Sequence, residues 1–254
     1  MPSQPIPCPS PNHDARPAAS AIDILLLHYT GMPSAEAALA RLCDPTARVS
    51  AHYLIDEDGT AYALVPEERR AWHAGVSFWA GARDINARSI GIEIVNPGHE
   101  FGYRPFPEPQ MVALEQLVHS ILARHPIPAH RVLGHSDVAP ARKIDPGELF
   151  PWERLAQQGI GLWPSTIRSV QDDGIVLGRH VINRNVWELQ AALGSFGYEI
   201  EATGSYDDLT RTIVIAFQRH FQPEVIGTHA QGFADGGTML RINSLCWRKQ
   251  VLGD

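Results

Sequence analysis

The chain has 254 residues, which exceeds one average domain, and 44% of them are hydrophobic, enough for a packed core. Its formal net charge of −7 argues against binding to nucleic acid or to an anionic membrane surface, because both favour a basic protein surface. Cys8, Cys43 and Cys246 lack metal-site spacing, so they predict neither a disulfide framework nor a cysteine zinc knuckle. No apolar run reaches the length of a transmembrane helix.

The N-terminal segment, residues 1–19, is rich in proline and lacks the apolar core of a signal peptide. We therefore expect an irregular segment and a cytoplasmic protein. If a leader has been removed, the alternative is a periplasmic or outer-membrane-associated protein.

Two apolar segments predict buried strands that each carry a polar side chain. Residues 22–30 are almost continuously apolar, as in a strand buried on both faces, and His28 lies near its C-terminal end. In residues 89–96 a period of two places Glu93 on the face opposite Ile92 and Ile94. A strand-end histidine is more often a core or capping group than a ligand, and a strand glutamate is about as often part of a structural ion pair.

The segment GHSDVAPARKIDPG, residues 134–147, brings a histidine, a lysine and an aspartate into one predicted loop. His135 follows a short apolar run, and Asp145 precedes a proline, which favours extended backbone. Lys143 and Asp145 then project to the same side, because side chains alternate along an extended chain. Together with His28 and Glu93 these residues suggest a metal site, and spacing by itself leaves a structural role open.

Helices are predicted between and after these strands. Apolar residues recur at helical spacing in residues 34–42 and 109–125, so strands alternate with helices in a first unit. A connector marked by glycine and proline, residues 156–172, leads to a second unit at 173–254, where residues 186–196 and 206–221 have helical periodicity. We expect an α/β domain with a mixed central sheet flanked by helices, followed by a small all-α domain.

Five motifs carry a family resemblance: LLLHYT at 25–30, SAHYLID at 50–56, AWHAG at 71–75, SIGIEIVN at 89–96 and the 134–147 segment. In this order they resemble the zinc-dependent N-acetylmuramoyl-L-alanine amidases of the type-2, peptidoglycan-recognition-protein-like superfamily. The resemblance covers residues 20–155, which become the predicted catalytic domain. Residues 173–254 resemble the small three-helix peptidoglycan-binding module, although its acidic-glycine turn is only loosely kept. Either a binding role or a buttress for the catalytic domain would fit.

The resemblance implies one zinc ion per chain, with His28, His135 and Asp145 at the three ligand positions. Glu93 stands at the position of the general base, which takes a proton from the attacking water and passes it to the leaving alanine nitrogen. Lys143 would stabilise the oxyanion of the tetrahedral intermediate. Some phage-type relatives have a tyrosine where this chain has Ala51, so the base is assigned to Glu93.

The remaining polar and aromatic candidates are less specific. By the same resemblance His73 and Trp72 are expected to line the substrate groove, with His73 stacked on Trp72; a loop histidine that only packs is the alternative. His52 is expected in the core, and Asp137 is expected to order its own loop through backbone hydrogen bonds. His220 is expected to be solvated.

The expected function is hydrolysis of the amide bond between the lactyl group of N-acetylmuramic acid and L-alanine in peptidoglycan fragments, in anhydromuropeptide recycling. The alternatives are a non-catalytic peptidoglycan-recognition module and an exported wall-remodelling amidase. A recognition module does not need the complete set of His28, His135, Asp145, Glu93 and Lys143, so the resemblance favours an enzyme whose partner is a muropeptide.

Overall fold

The computed structural model describes residues 4–18, 20–164 and 176–252. Its strands, in chain order, are β1 (Ile6–Pro7), β2 (His13–Ala15), β3 (Ile24–Tyr29), β4 (Tyr53–Ile55), β5 (Ala61–Ala63), β6 (Arg69–Ala71), β7 (Ser89–Ile94), β8 (Val132–Gly134), β9 (Val176–Leu177) and β10 (Ala234–Asp235). Six of the described strands form one mixed sheet in the order β1-β5-β4-β7-β3-β8. The predicted α/β class with a mixed central sheet is therefore confirmed.

The helices complete the layers around this sheet. They are α1 (Ala35–Cys43), α2 (Ile85–Arg88), α3 (Gly98–Phe101), α4 (Glu108–Arg124), α5 (His135–Val138), α6 (Trp152–Gln157), α7 (Arg184–Phe196), α8 (Asp208–Phe221) and α9 (Gly236–Leu252), with short 3-10 helices at Ala129–Arg131 and Pro223–Val225. The predicted helices 34–42 and 109–125 correspond to α1 and α4. Helix α1 begins after Ser34, whose hydroxyl accepts a hydrogen bond from the backbone N–H of Ala37.

The centre of the sheet positions the candidate site. Strand β3 is parallel to both β7 and β8, and His28 lies opposite Glu93 in the β3–β7 register. Parallel strands end at the same edge of a sheet, so these side chains meet at one edge. The apolar residues of β3 before His28 are fully buried, as predicted for a strand covered on both faces.

The two faces of the sheet are covered by different parts of the chain. Alternate residues Leu25 and Leu27 face a core that includes the apolar side of α4. Their neighbours Ile24 and Leu26 belong to a second core that includes buried residues of α7, α8 and α9. The C-terminal helices therefore share a hydrophobic core with the catalytic sheet.

The structure departs from the predictions at both flanks of the first unit. Residues 1–19 were expected to be irregular, yet β1 pairs with β5 and β2 pairs with β6, because the segment completes two sheet edges. The predicted linker, residues 156–172, begins inside α6 and continues through the buried Ile160 and Leu162; its part at 165–172, with 173–175 of the second unit, lies outside the described residues.

The second unit contains the predicted helices at α7 and α8, a third helix α9, and a small antiparallel ladder between β9 and β10. This ladder was not predicted, since each of its strands has only two residues. No helix within the described residues has the length and hydrophobicity needed to cross a membrane.

Trp79 anchors the second unit to the first. Its side chain is 1% exposed, and its ring lies 4.9 Å from the ring of Tyr198 and 5.8 Å from that of Phe196. The backbone N–H of Ala80 donates to the carbonyl of Gly197. A Cβ at Gly197 would lie 2.5 Å from the Trp79 indole, so only glycine fits against this ring.

We expect Trp79→Ala to lower the free energy of unfolding by about 3–5 kcal/mol, because it removes a large buried ring between the two units. Trp79→Phe should cost much less, since it keeps an aromatic ring in the same space. Chemical denaturation followed by circular dichroism measures both. Equal and small losses for both variants would mean that the units are not held together by this ring.

Candidate functional site

Three side chains converge at the C-terminal edge of the sheet. The Nδ1 atoms of His28 and His135 lie 3.0 Å apart, and Asp145 Oδ2 lies 3.0 Å from the first and 3.1 Å from the second. All three side chains are buried. The sequence therefore selected three residues that the fold brings together across 117 positions of the chain.

Each of these residues is positioned by a different local structure. His28 is the penultimate residue of β3, and His135 begins α5 directly after β8, the neighbour of β3. Asp145 belongs to the segment that returns past α5, and its carbonyl accepts a hydrogen bond from the N–H of Ser136. The sequence predicted one loop for residues 134–147. The structure instead has a short helix, α5, followed by a segment that folds back so that Asp145 lies beside α5.

The protonation states suit a cation. Burial, and then the proximity of His135, lower the pKa of His28 to about 4. Burial would raise the pKa of Asp145, yet His135 and His28 outweigh this effect and hold its pKa well below the usual range. At neutral pH, His28 is therefore neutral and Asp145 ionised, as a metal ligand must be.

The second ring nitrogen of His135 fixes its tautomer. His135 Nε2 lies 3.0 Å from the carbonyl oxygen of Ala74, which can only accept, so Nε2 carries the proton. The lone pair of Nδ1 then points at His28 and Asp145. Second-sphere acceptors of this kind commonly orient metal-ligating histidines.

The donor set fits zinc. A tetrahedral zinc ion with bonds of about 2.0–2.2 Å holds its ligand atoms roughly 3.3–3.6 Å apart, only a little wider than the three separations observed. Among the described residues, these three form the group able to hold a metal ion. Two imidazoles and one carboxylate leave a fourth position for water or substrate, which is typical of catalytic zinc sites.

Glu93 lies beside this group on β7. Its Oε2 atom is enclosed and has no hydrogen-bond partner among the described residues. Burial, followed by the negative charge of Asp145, raises its pKa well above the usual value, and the positive charge of Lys143 opposes the shift. A carboxyl group with a raised pKa beside an open metal position has the properties of a general acid and base.

A cavity of about 550 Å³ opens onto the site. Lys143 and Asp145 both line it, together with Glu93. Within residues 4–18, 20–164 and 176–252 the Lys143 ammonium forms no ion pair. Its charge is therefore available to a ligand in the cavity.

His73 and Trp72 do not form the pair that the sequence suggested. The ring of His73 packs edge-on against the rings of His28 and His52, and it is 6% exposed. His73 is one of the residues that line the cavity, whereas Trp72 is half-buried and lies outside that lining. His52 is fully buried, as expected of a core residue.

Asp137 has a larger role than the predicted one. Its Oδ2 accepts the expected hydrogen bond from the N–H of Gly134, at 2.8 Å. In addition, Tyr198 donates its hydroxyl to Oδ1 at 2.7 Å, and Nδ1 of His220 lies 2.7 Å from Oδ2. The buried Asp137 carboxylate thus joins the segment that contains His135 to the second unit.

The prediction that His220 is solvated was wrong. Its side chain is 2% exposed and stacks at 3.7 Å on the ring of Trp152. Tyr198 and His220 lie 61 and 83 residues from Asp137 in sequence, and no local pattern marks a contact over such a separation.

Comparison with known families agrees with this geometry. Residues 18–148 match the family described as N-acetylmuramoyl-L-alanine amidase, which is more than half of the chain. The chain belongs to the N-acetylmuramoyl-L-alanine amidase family. Residues 183–227 match a family of peptidoglycan binding domains. The predicted family is confirmed, and so is the prediction of an enzyme over a non-catalytic recognition module.

Individual relatives cover different shares of the amidase. N-acetylmuramoyl-L-alanine amidase AmiD of Escherichia coli K12 is 38% identical over 91% of this chain and 84% of its own length. The 1,6-anhydro-N-acetylmuramyl-L-alanine amidase AmpD of Enterobacter cloacae is 36% identical over 58% of this chain and 86% of its own. AmiD therefore matches both units of the amidase, whereas AmpD matches little more than half of the chain.

Solved structures extend the similarity to the fold. E. coli AmiD in complex with anhydro-N-acetylmuramic acid-L-Ala-D-gamma-Glu-L-Lys superimposes with a TM-score of 0.76 at 35% identity, covering 91% of this chain and 92% of that one. AmpDh3 from Pseudomonas aeruginosa, in complex with anhydromuramic pentapeptide, also gives a TM-score of 0.76 at 35% identity, covering 89% of this chain and 92% of that one. The sheet and the C-terminal unit are common to these amidases.

Tyr198→Phe should lower the free energy of unfolding by about 1.5–3 kcal/mol, since it removes a hydrogen bond to a buried charge. It should also weaken zinc binding, because Asp137 holds the segment that includes the candidate ligand His135. Denaturation and zinc competition with a chromophoric chelator measure the two effects.

Tyr206→Phe is the matched control. Tyr206 is equally buried, but its hydroxyl donates to the neutral carbonyl of Gly232 within the second unit. We expect a loss of about 0.5–1.5 kcal/mol and unchanged zinc affinity. Identical zinc affinity in both variants would contradict a link between the second unit and the metal site.

Proposed function

We propose that the amidase hydrolyses the bond between the lactyl group of N-acetylmuramic acid and L-alanine in soluble anhydromuropeptides, with zinc held by His28, His135 and Asp145. The observation that carries the proposal is the convergence of three ligand atoms within 3.1 Å of one another, beside Glu93 and Lys143, at one cavity. A bound zinc ion supplies Lewis acidity toward the amide carbonyl and lowers the pKa of water.

Glu93 supplies the proton transfers. As its carboxylate it accepts a proton from the water that attacks the amide carbon, and as the acid it returns that proton to the leaving alanine nitrogen. The enclosed position of Oε2 supports this role, because a carboxylate without hydrogen-bond partners is strongly basic.

Lys143 supplies positive charge where the tetrahedral intermediate becomes negative. Lys143 lines the cavity, and its ammonium has no ion-pair partner among the described residues, so no ion pair must break before it binds an oxyanion. A preorganised charge in a partly enclosed site stabilises the transition state more than it would in water.

The size of the cavity supports a soluble fragment as the substrate. Its volume of about 550 Å³ falls within the range of roughly 300–1,000 Å³ that is usual for small-molecule sites. AmiD and AmpDh3 were each solved with an anhydromuropeptide, which supports the same substrate class for this amidase. The corresponding location is the cytoplasm, where such fragments are recycled; a periplasmic or outer-membrane-associated enzyme is the alternative.

For His73 we infer a positioning role. Ser89 donates its hydroxyl to the carbonyl of Ile85 at 2.7 Å, so Ser89 Oγ accepts from His73 Nε2 at 3.3 Å. His73 Nδ1 then has no proton, provided that the ring is neutral, and accepts from His28 Nε2 at 3.0 Å. This series of hydrogen bonds ends at the Ile85 carbonyl, which can only accept. Each group in the series therefore donates toward that carbonyl, and His28 Nδ1 is left without a proton and available to zinc.

Two further observations support this chain of hydrogen bonds. Burial and the neighbouring His28 and His52 lower the pKa of His73 well below its usual value, so the ring is neutral. A Cβ at Gly91 would lie 2.5 Å from His73 Nδ1, so glycine on β7 provides the space for the ring.

The function is tested by incubating the zinc-loaded amidase with anhydromuropeptide and, in parallel, with intact sacculi. We expect mass spectrometry to detect free stem peptide from the soluble substrate, and its loss when a chelator removes zinc. Release from sacculi as well would favour wall remodelling, and release from neither would contradict the proposed reaction.

Three variants assign the roles within that experiment. Asp145→Ala should lose zinc, whereas Glu93→Gln should retain zinc and lose about 10²–10⁴-fold in turnover. Glu100→Gln, at an exposed carboxylate of α3, is the control and should leave both unchanged. Near-normal turnover of Glu93→Gln would show that the base is another group.

His73→Phe should weaken zinc binding by about 10–100-fold, because His28 loses the acceptor that fixes its tautomer. His73→Asn should retain more affinity, since its side-chain oxygen can accept in place of Nδ1. Zinc competition measures both variants. Unchanged zinc affinity together with a raised KM would instead support contact between His73 and the substrate.

A further inference from the structure

Two cysteines that are far apart in sequence lie side by side. The Sγ atoms of Cys8 and Cys43 are 3.8 Å apart, although 35 positions separate them. Cys8 follows strand β1, and Cys43 is the last residue of helix α1. Both thiols are half-buried at the junction between the N-terminal segment and α1.

The backbone on either side of this pair is fixed by hydrogen bonds. The N–H of Cys8 donates to the carbonyl of Ala63 on β5, and Ser10 donates its hydroxyl to the carbonyl of Leu42. Asn12 donates to the carbonyls of Asp44 and Val49 at 2.8 and 2.9 Å. The residues flanking both cysteines are thus tied to one another or to the sheet.

The two sulfur atoms can therefore approach without a large movement of the chain. A disulfide needs a sulfur–sulfur distance of about 2.05 Å, so the gap must close by roughly 1.7–1.8 Å, which is within the reach of side-chain rotation. Cys43 Sγ already lies 3.6 Å from the carbonyl oxygen of Cys8. The third cysteine, Cys246, lies in α9, where its thiol faces the carbonyl of Ala192.

We propose that Cys8 and Cys43 are a disulfide site, which is closed by a disulfide oxidant such as glutathione disulfide. One cysteine thiolate attacks glutathione disulfide and releases one glutathione, forming a mixed disulfide. The second cysteine then attacks the protein sulfur of that adduct and releases the second glutathione. The two cysteines lose two protons and two electrons, and glutathione disulfide takes up both electrons.

A disulfide between Cys8 and Cys43 would affect both the stability of the protein and the cavity at the candidate metal site. Closing the bond links α1 to the strand β1, whose two residues pair only with β5 among the described strands. Ala38, Arg41 and Leu42 of α1 line the cavity at the metal site, so the bond would fix one wall of that cavity. The pair stays reduced in a reducing compartment and closes in an oxidising one.

The pKa of the Cys43 thiol determines the pH at which the disulfide forms readily. Burial and the contact with Cys8 raise the pKa of the Cys43 thiol to about 11, so little of its thiolate is present at neutral pH. The closing step should therefore be faster at pH 8.5 than at pH 7.

The test uses the full chain carrying Cys246→Ser, equilibrated in glutathione buffers of increasing oxidised fraction. We expect both remaining thiols to disappear together, an intact mass lower by two hydrogens, and an unfolding midpoint higher by about 5–10 °C. Cys8→Ser and Cys43→Ser in the same background are the controls. The unfolding midpoint of each control should be the same in the reducing and the oxidising buffers.

Two outcomes would overturn the proposal. In the first, both thiols remain titratable in the most oxidising buffer. In the second, the protein accumulates stable mixed disulfides with glutathione, which would mean that Cys8 and Cys43 cannot reach each other. Peptide mapping of the unreduced protein distinguishes an intramolecular bond from a bond between two chains.

Discussion

The structure depends on holding three acceptor atoms within about 3 Å of one another in a buried place. Two imidazole nitrogens and a carboxylate oxygen repel one another through their lone pairs unless a proton or a cation lies between them. The tautomer of His135 is set by the carbonyl of Ala74, and we infer that His28 is set by His73 in the same way. Both arrangements aim lone pairs at one point, so the scaffold favours a divalent cation there.

Parallel strand pairing makes this arrangement possible. His28 on β3 and Glu93 on β7 share a register position, and β8 delivers His135 to the same edge. In open α/β sheets, ligands commonly bind in a crevice outside the carboxyl ends of the strands. The candidate zinc ligands and the proposed base therefore need few further elements to bring them together.

The second unit belongs to the frame of this site. It covers one face of the central sheet, surrounds Trp79, and binds Asp137 through Tyr198 and His220. Asp137 lies two residues after the candidate ligand His135, so one buried carboxylate connects the second unit to the candidate metal site. The unit that matches a peptidoglycan-binding family at residues 183–227 therefore also packs against the catalytic sheet.

The sequence by itself determined the family, the α/β class, the main strands and helices, and the three residues now found in contact at the metal position. These features could be predicted because each depends on a pattern within a short stretch of sequence: a period of apolar residues, a polar residue at a strand end, or a short motif. Only the tertiary structure decided that His220 is buried, that the N-terminal segment completes the sheet, that His73 contacts His28, and that Cys8 lies beside Cys43. Those contacts join residues 35 to 83 positions apart, and packing between distant segments leaves no periodic signal in either one.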